Sequence, residues 1–175
     1  MTDFRYPIGP FKDHLQDHTT DEERAALMDE IAATPARLRE AVAGLDDAQL
    51  DTPYREDGWT VRQVVHHLVD SHINAYVRFR WALTEDGPTI KPYLEKEWAR
   101  LPDAQSAPVA VSLDLLEALH TRWLILLRAL GPEDFARRWS SDRGELRVDV
   151  LLQIYRWHGK HHVAHITSLR EREGW

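Results

Sequence analysis

Histidine is concentrated at two places in this chain, and imidazole is a common ligand for transition metals. Of the ten histidines, four fall within residues 158–165 and three within residues 66–72. On a helix, side chains four residues apart lie one turn apart on the same side. The spacing of His158 and His162 therefore allows two imidazoles to bind one ion.

The later cluster offers two pairs with this spacing. A helical wheel places His158, His162 and His165 on the apolar side of a predicted helix and His161 at the edge of that side. The rival pair His161 and His165 also has the one-turn spacing and stays open. We favour His158 and His162 as the metal ligands.

The earlier cluster must supply a further ligand, since two imidazoles alone hold a transition ion poorly. Periodicity over residues 61–84 places His72 at the centre of the buried side, His66 on the far side and His67 at the flank. His67 falls in line with a polar file, made of Ser71, Asn74 and Arg78. Periodicity alone favours His72, whereas a site that admits a substrate belongs in a groove and favours His67.

Composition excludes several other classes of site and partner. The chain has no cysteine, which excludes disulfides, thiolate zinc sites and a cysteine nucleophile. The net charge of −7, with basic residues scattered among acidic ones, makes nucleic acid an unfavoured partner. His158 is followed by Gly159, so the HExxH pattern of zinc peptidases is absent.

Length and apolar patterning favour a single cytoplasmic domain over residues 1–175. A chain of this length with 43% hydrophobic residues is within the size range of one domain with one core. We find no apolar run of about 20 residues that could span a membrane and no signal-peptide pattern. We therefore expect a soluble protein without membrane partners.

Four amphipathic stretches predict four long helices, and hence an all-α four-helix bundle. The first helix opens with a capping box at 20–23 and is kinked or split near Thr34 by Pro35. The second runs from a capping box at 60–63 to about Thr84, the third starts near Ser112, and the fourth covers about 149–172.

The connections also carry predictions. Residues up to about 19 form an arm on the body, and the proline-punctuated segment 88–108 is a long crossover between the second and third helices that roofs a site. Residues 140–144 form a turn, with 145–148 as the second arm of a short hairpin.

The chain resembles the YfiT-like branch of the DinB-like superfamily. The resemblance is carried by segments 58–72 (GWTVRQVVHHLVDSH), 157–166 (WHGKHHVAHI) and 170–175 (REREGW), and extends to 6–9 and 45–47. It implies a four-helix bundle whose metal, zinc or nickel, is held by three histidines. By motif, these are His67 on the second helix and the pair His158 and His162.

The resemblance leaves His72, His161 and His165 as pocket residues around the ion. It also implies an enzyme that acts on small molecules, because related proteins are metal-dependent hydrolases or S-transferases that use the thiol bacillithiol. A metal held by neutral imidazoles makes a bound thiol or water easier to deprotonate.

We therefore expect a thiol S-transferase first, with a thiol and an electrophile as partners and Arg78 binding the thiol's carboxylates. A hydrolase that uses bound water is the alternative, and a non-catalytic metal-binding module is the third. Zinc is the expected ion, with nickel or manganese as alternatives. The general base and the oligomeric state both stay open, with a homodimer as one candidate assembly.

Overall fold

The computed structural model describes residues 3–16, 18–142 and 144–175, and most of them are helical. None of the helices within these ranges combines the length and apolarity that a membrane span requires. In chain order, the elements are a 3-10 helix (Phe11–His14), α1 (Asp21–Ala32), α2 (Thr34–Val42), α3 (Asp47–Leu50), α4 (Val61–Thr84), α5 (Glu95–Trp98), α6 (Pro102–Ser106), α7 (Val109–Leu127), α8 (Pro132–Ala136), β1 (Arg138–Ser141), β2 (Gly144–Arg147) and α9 (Val148–Glu173).

The first of the four bundle segments consists of two consecutive helices, α1 and α2, which meet at Ala33. α1 begins after Thr20, whose side chain accepts a hydrogen bond from the backbone N–H of Glu23, while the Glu23 carboxylate accepts one from the N–H of Thr20. Pro35 lies in the first turn of α2, where the missing N–H costs little. Inside one continuous helix the same proline would remove a hydrogen bond and clash with the preceding turn, so α1 and α2 are separate. The predicted split near Thr34 is confirmed.

The second segment, α4, begins where the sequence predicts, and the third, α7, does not. A capping box at Thr60 starts α4. α7 begins at Val109, directly after Pro108, so the predicted start at Ser112 is wrong. Proline fixes its backbone φ angle near the helical value, and it has no N–H that would need an acceptor at the start of a helix. Ser112 lies inside α7 instead, with its Oγ 2.7 Å from Nδ1 of His66.

α4 packs against both α7 and α9, and α1 and α2 also contact those two helices. Two apolar clusters make the core: the first includes Leu68 of α4 and Ile166 of α9. The second includes Phe79 of α4 and Leu151 of α9. Because the clusters follow in opposite chain order on α4 and α9, these helices are antiparallel, and the α9 histidines lie between the two clusters.

The crossover from α4 to α7 is attached to a short hairpin. β1 and β2 pair antiparallel, and the backbone N–H of Ile90 donates to the carbonyl of Ser140 at 2.8 Å. The N–H of Ser140 in turn donates to the carbonyl of Pro88 at 2.9 Å. The predicted hairpin is confirmed, but its bounds differ. Ser140 and Ser141 belong to β1 and Gly144 to β2 rather than to the turn, and Val148, predicted in the second arm, begins α9. Arg143 of the predicted turn lies outside the described residues.

Gly159 allows α9 to approach α2 closely. A Cβ atom at this position would lie 2.8 Å from Oγ1 and 2.9 Å from Cγ2 of Thr34, both shorter than van der Waals contact. Thr34 is buried and β-branched, so its side chain has little freedom to move aside. The missing side chain of Gly159 therefore sets the spacing between these two helices.

Candidate metal centre

Three histidines from two antiparallel helices meet beside a cavity. His67 of α4 and His158 and His162 of α9 each offer one ring nitrogen, and these nitrogens lie within 4.8 Å of one another. Nε2 of His67 lies 3.3 Å from Nε2 of His158. Two imidazole nitrogens bound to one tetrahedral ion at about 2.0–2.1 Å are about 3.3–3.4 Å apart. The separation therefore fits a shared ion.

Burial keeps these rings neutral, which leaves lone pairs for a metal. Burial, followed by the nearby His165, lowers the pKa of His67 to about 4. Burial is also the main cause that places the pKa of His158 and His162 well below the usual value, with neighbouring histidines adding to it. At neutral pH the three residues are imidazoles, the form that ligates transition metals.

The three histidines line a cavity of about 630 Å³. Because the three histidines line the cavity, an ion held there would face open space as well as protein, as catalytic zinc sites do. The predicted roof and arm are confirmed, since the crossover lines the cavity with Ile90 and Tyr93 and the N-terminal arm with Phe11.

Aromatic side chains form much of the cavity wall, and a few charges lie among them. The aromatic members are Phe11, Trp59, Tyr93, Trp139, Tyr155 and Trp157. Among the described residues, the charged members are Lys12, Arg78, Glu95 and Asp142. Nη1 of Arg78 donates to the hydroxyl of Tyr155 at 2.7 Å. The cavity thus suits a largely apolar molecule that also carries a charged group.

Two of the three residues in the predicted polar file of α4 line the cavity. Ser71 and Arg78 line the cavity, as predicted. Nδ2 of Asn74 instead donates to the carbonyl of Asp70 at 2.8 Å, within α4. Burial, with a smaller effect of Asp103, raises the pKa of Asp70 to about 6, although Asp70 is not among the cavity residues.

The rival pair on α9 also belongs to a group of three, formed by His161, His162 and His165. The ring of His161 stacks on Trp157, with centroids 4.3 Å apart, and that of His165 stacks on Tyr54 at 4.0 Å. All three residues of this second group lie on α9, and His162 belongs to both groups.

The remaining α4 histidines are buried away from the cavity. Both nitrogens of His66 have partners: Nδ1 contacts Ser112 Oγ at 2.7 Å, and Nε2 lies 3.2 Å from the carbonyl oxygen of Ala107. The predicted outward position of His66 is therefore wrong, because α7 and the end of the crossover cover that side. His72 is fully buried, as periodicity predicts, and contacts Nδ1 of His158 rather than the cavity.

Two further residues at the site were not found from the sequence. The hydroxyl of Tyr93, on the crossover, lies 3.4 Å from Nδ1 of His67. His120 of α7 contacts Nδ1 of His72 at 2.7 Å. Tyr93 belongs to no histidine cluster or periodic pattern. His120 lies on the apolar stripe of α7, four residues after Leu116 and three before Trp123, so helical spacing could have indicated its burial but not its partner.

The chain is similar to known proteins over its whole length. Residues 30–166 match the family model of the DinB superfamily. A Bacillus cereus (strain AH820) protein named "Putative metal-dependent hydrolase" is 52% identical over 176 residues, which cover 100% of both chains. A Bacillus anthracis (strain A0248) protein of the same name has the same identity and coverage.

Solved structures agree with the fold. YfiT from Bacillus subtilis, described as a probable metal-dependent hydrolase with an unusual four-helix bundle topology, superposes with a TM-score of 0.95 at 45% identity over 98% of both chains. A mycothiol-dependent maleylpyruvate isomerase shares the fold alone, with a TM-score of 0.66 and 17% identity over 91% of this chain and 63% of its own. The four-helix bundle is thus confirmed, and the chain belongs to the DinB superfamily as a YfiT-like member.

Proposed function

We propose that this protein is a metal-dependent enzyme whose ion is held by His67, His158 and His162. One observation carries the proposal: two of these nitrogens stand 3.3 Å apart at the wall of an open cavity, in rings that burial keeps neutral. The names of the relatives that are 52% identical, and the description of YfiT, support metal dependence.

Zinc is the ion we expect, because three imidazoles and one open position are a common zinc donor set. Nickel and manganese are the alternatives. When bound, such an ion supplies a Lewis acid that lowers the pKa of a thiol or a water molecule. The chain's own residues then determine which of the two enters and how it is oriented.

The first reaction we propose is transfer of a thiol, of the bacillithiol type, to an electrophilic carbon. Arg78 supports this choice, because its guanidinium faces the cavity and a carboxylate of the thiol would pair with it. Within the described ranges, the contacts of the guanidinium are to neutral phenols: it donates to the hydroxyl of Tyr155 and lies 5.9 Å from the ring centre of Tyr93. Aromatic walls such as Trp59 and Trp157 suit an apolar electrophile.

Hydrolysis is the second candidate, favoured by the hydrolase names of the similar Bacillus proteins. The site would be the same, with water in place of the thiol. A non-catalytic metal site is the third candidate, and the cavity beside the histidines counts against it, since structural zinc sites are closed by four protein ligands.

The deciding experiment incubates the zinc-loaded protein with a chlorinated dinitrobenzene, with and without bacillithiol, and follows adducts by mass spectrometry. A thiol adduct that needs both the protein and His67 supports transfer. Loss of chloride without thiol, giving the phenol, supports hydrolysis instead. Absence of both, across several electrophiles and esters, would contradict the enzyme proposal.

Arg78→Ala sharpens the thiol assignment. We expect the KM for bacillithiol to rise about tenfold, because a charge-assisted hydrogen bond is lost. Arg80→Ala is the matched control, since Arg80 carries the same charge on α4 but is exposed and bonds to Tyr76. An equal KM in the two variants would remove Arg78 from the thiol site.

A further inference from the structure

Two chains of hydrogen-bonded histidines lead away from the candidate metal centre, and each ends on a backbone carbonyl. In the first chain, Nδ1 of His158 lies 3.3 Å from Nε2 of His72, and Nδ1 of His72 lies 2.7 Å from Nε2 of His120. Nδ1 of His120 lies 2.9 Å from the carbonyl oxygen of Ile31, in α1. The chain thus links α9, α4, α7 and α1.

The carbonyl at the end determines where every proton in this chain lies. A carbonyl only accepts, so Nδ1 of His120 carries the proton and its Nε2 is left as an acceptor. Nδ1 of His72 must then donate to His120, which leaves Nε2 of His72 as an acceptor. Nδ1 of His158 therefore donates to His72, and Nε2 of His158 keeps its lone pair, on the side that faces His67.

The opposite direction is unfavourable. It would place the lone pair of His120 Nδ1 against the oxygen of Ile31 at 2.9 Å and remove a buried hydrogen bond, at a cost of about 1–3 kcal/mol. Protonating a ring would permit other arrangements, but His72 and His120 are 0% and 1% exposed, and burial of a charged imidazole is disfavoured.

A second, shorter chain applies the same constraint to His162. The carbonyl oxygen of Arg5, in the N-terminal arm, lies 3.2 Å from Nε2 of His165. Nδ1 of His165 lies 3.3 Å from Nδ1 of His162. Because the carbonyl accepts from Nε2 of His165, Nδ1 of His165 accepts from Nδ1 of His162. Nε2 of His162 is again left with its lone pair.

We propose that His72, His120 and His165 are positioning residues that fix the tautomers of His158 and His162, so that both present Nε2 lone pairs to one ion. Histidine ligands commonly donate their second N–H to an outer partner, which fixes the ring and raises its basicity. Here neutral histidines stand where a carboxylate is often found, so the partners of the ligands add no negative charge to the site. The proposal rests on the proposed metal centre.

The same logic disfavours the group of His161, His162 and His165 as a second metal site. Both nitrogens of His165 already have hydrogen-bond partners, Arg5 and His162. An ion at this group would have to break one of them. In the first group, Nε2 of His67 and Nε2 of His158 contact each other, at the place where a shared ion would stand, so an ion there breaks no hydrogen bond to an outer partner.

The first test is side-chain ¹⁵N–¹H correlation spectroscopy of the metal-free protein, which reports the tautomer of each histidine. We expect protons on Nδ1 of His72, His120, His158 and His162, and on Nε2 of His165. Protons on Nε2 of His158 and His162 would overturn the proposal. Because no metal is needed, correct tautomers in a protein that binds no metal would contradict the proposed function and leave this inference intact.

The second test measures zinc affinity by chelator competition in His120→Leu and His120→Gln. His120→Leu removes the acceptor for His72, and we expect a loss of about 10- to 100-fold. His120→Gln restores an acceptor and should recover most of the affinity. His66→Leu is the matched control, a buried histidine of α4 outside both chains, and should leave the affinity unchanged.

Equal losses in His120→Leu and His120→Gln would mean that His120 acts through packing alone and would overturn its positioning role. Thermal unfolding of the metal-free variants separates the two effects. A drop in Tm shared by all three variants, with loss of zinc affinity confined to His120→Leu, is the result expected here.

Discussion

The two groups of three histidines share His162 of α9, yet their ring nitrogens have different hydrogen-bond partners. The first group draws His67 from α4 and faces the cavity. The second comes from α9 alone, and its His165 is bonded on both nitrogens, beneath the N-terminal arm. Proximity of imidazoles is therefore not enough to predict a metal site; each ring must also keep one nitrogen that is not bonded to a group outside the site.

The largest expected difference between the groups is in metal content. His67→Ala removes a ligand of the first group only, and we expect the protein to lose stoichiometric zinc, with affinity reduced more than about 100-fold. His161→Ala affects the second group only and should retain one zinc per chain. Elemental analysis after dialysis measures both, and the reverse outcome would move the metal to the second group.

Acid should destabilise the metal-free protein over a defined range. The pKa of His120 falls from 6.5 to about 4 on folding, because of burial. Below pH 6.5 the unfolded chain binds a proton that the folded chain does not, so stability falls as the pH drops from 6.5 to 4. For His120 alone the loss is about 3 kcal/mol. Urea unfolding at stepped pH measures it.

The effect of zinc on acid stability should differ between variants of the two groups. A bound ion competes with protons for the imidazoles. We expect zinc to extend the stable range of His161→Ala to lower pH and to leave the acid limb of His67→Ala unchanged. Equal protection of both variants would contradict the assignment of the ion to the first group.

Gly159→Ala tests whether the site bridges two helices. The added Cβ would meet Thr34, so α9 must shift, and we expect a loss of about 1–3 kcal/mol in the free energy of unfolding. A site between α4 and α9 should also lose zinc affinity, whereas a site within α9 alone should not. Adding Thr34→Ala removes the clash and should restore both quantities.

Tyr93→Phe should give the smallest effect. Its hydroxyl lies 3.4 Å from Nδ1 of His67, a long contact, so we expect zinc affinity to fall only about threefold. Tyr76→Phe is the control, since Tyr76 bonds to Arg80 and does not line the cavity. A loss as large as that of His120→Leu would show that all three ligands depend on their outer partners equally.

Local signals in the sequence were sufficient for most of the fold. Caps at Thr20 and Thr60, and the break at Pro35, act within a few residues, so they can be read without tertiary information. The start of α7 was mispredicted because Ser112, a good cap by type, is used as a partner of His66 in the folded chain.

The candidate site was only partly predictable. One-turn spacing leaves two pairs open on α9 and the helical wheel favours His158 and His162, whereas His67 is favoured over His72 by family resemblance. The ligand roles of all three histidines stay predictions. Periodicity correctly predicted that His72 is buried but wrongly placed His66 on the far side, because α4 packs against α7 and α9 together and its buried side is broad. His120 lies 48 residues from its partner His72, and no local pattern connects them.

The position of the histidines between the two apolar clusters has a consequence for cooperativity. Along α9, the four histidines lie between Tyr155 of the second cluster and Ile166 of the first, and along α4, His72 lies between Val69 and Ala75. An ion that joins His67 to His158 and His162 would act as a cross-link between these helices at the boundary of the clusters. Metal loading should therefore slow amide hydrogen exchange in both clusters together. The two clusters would then unfold as one cooperative unit.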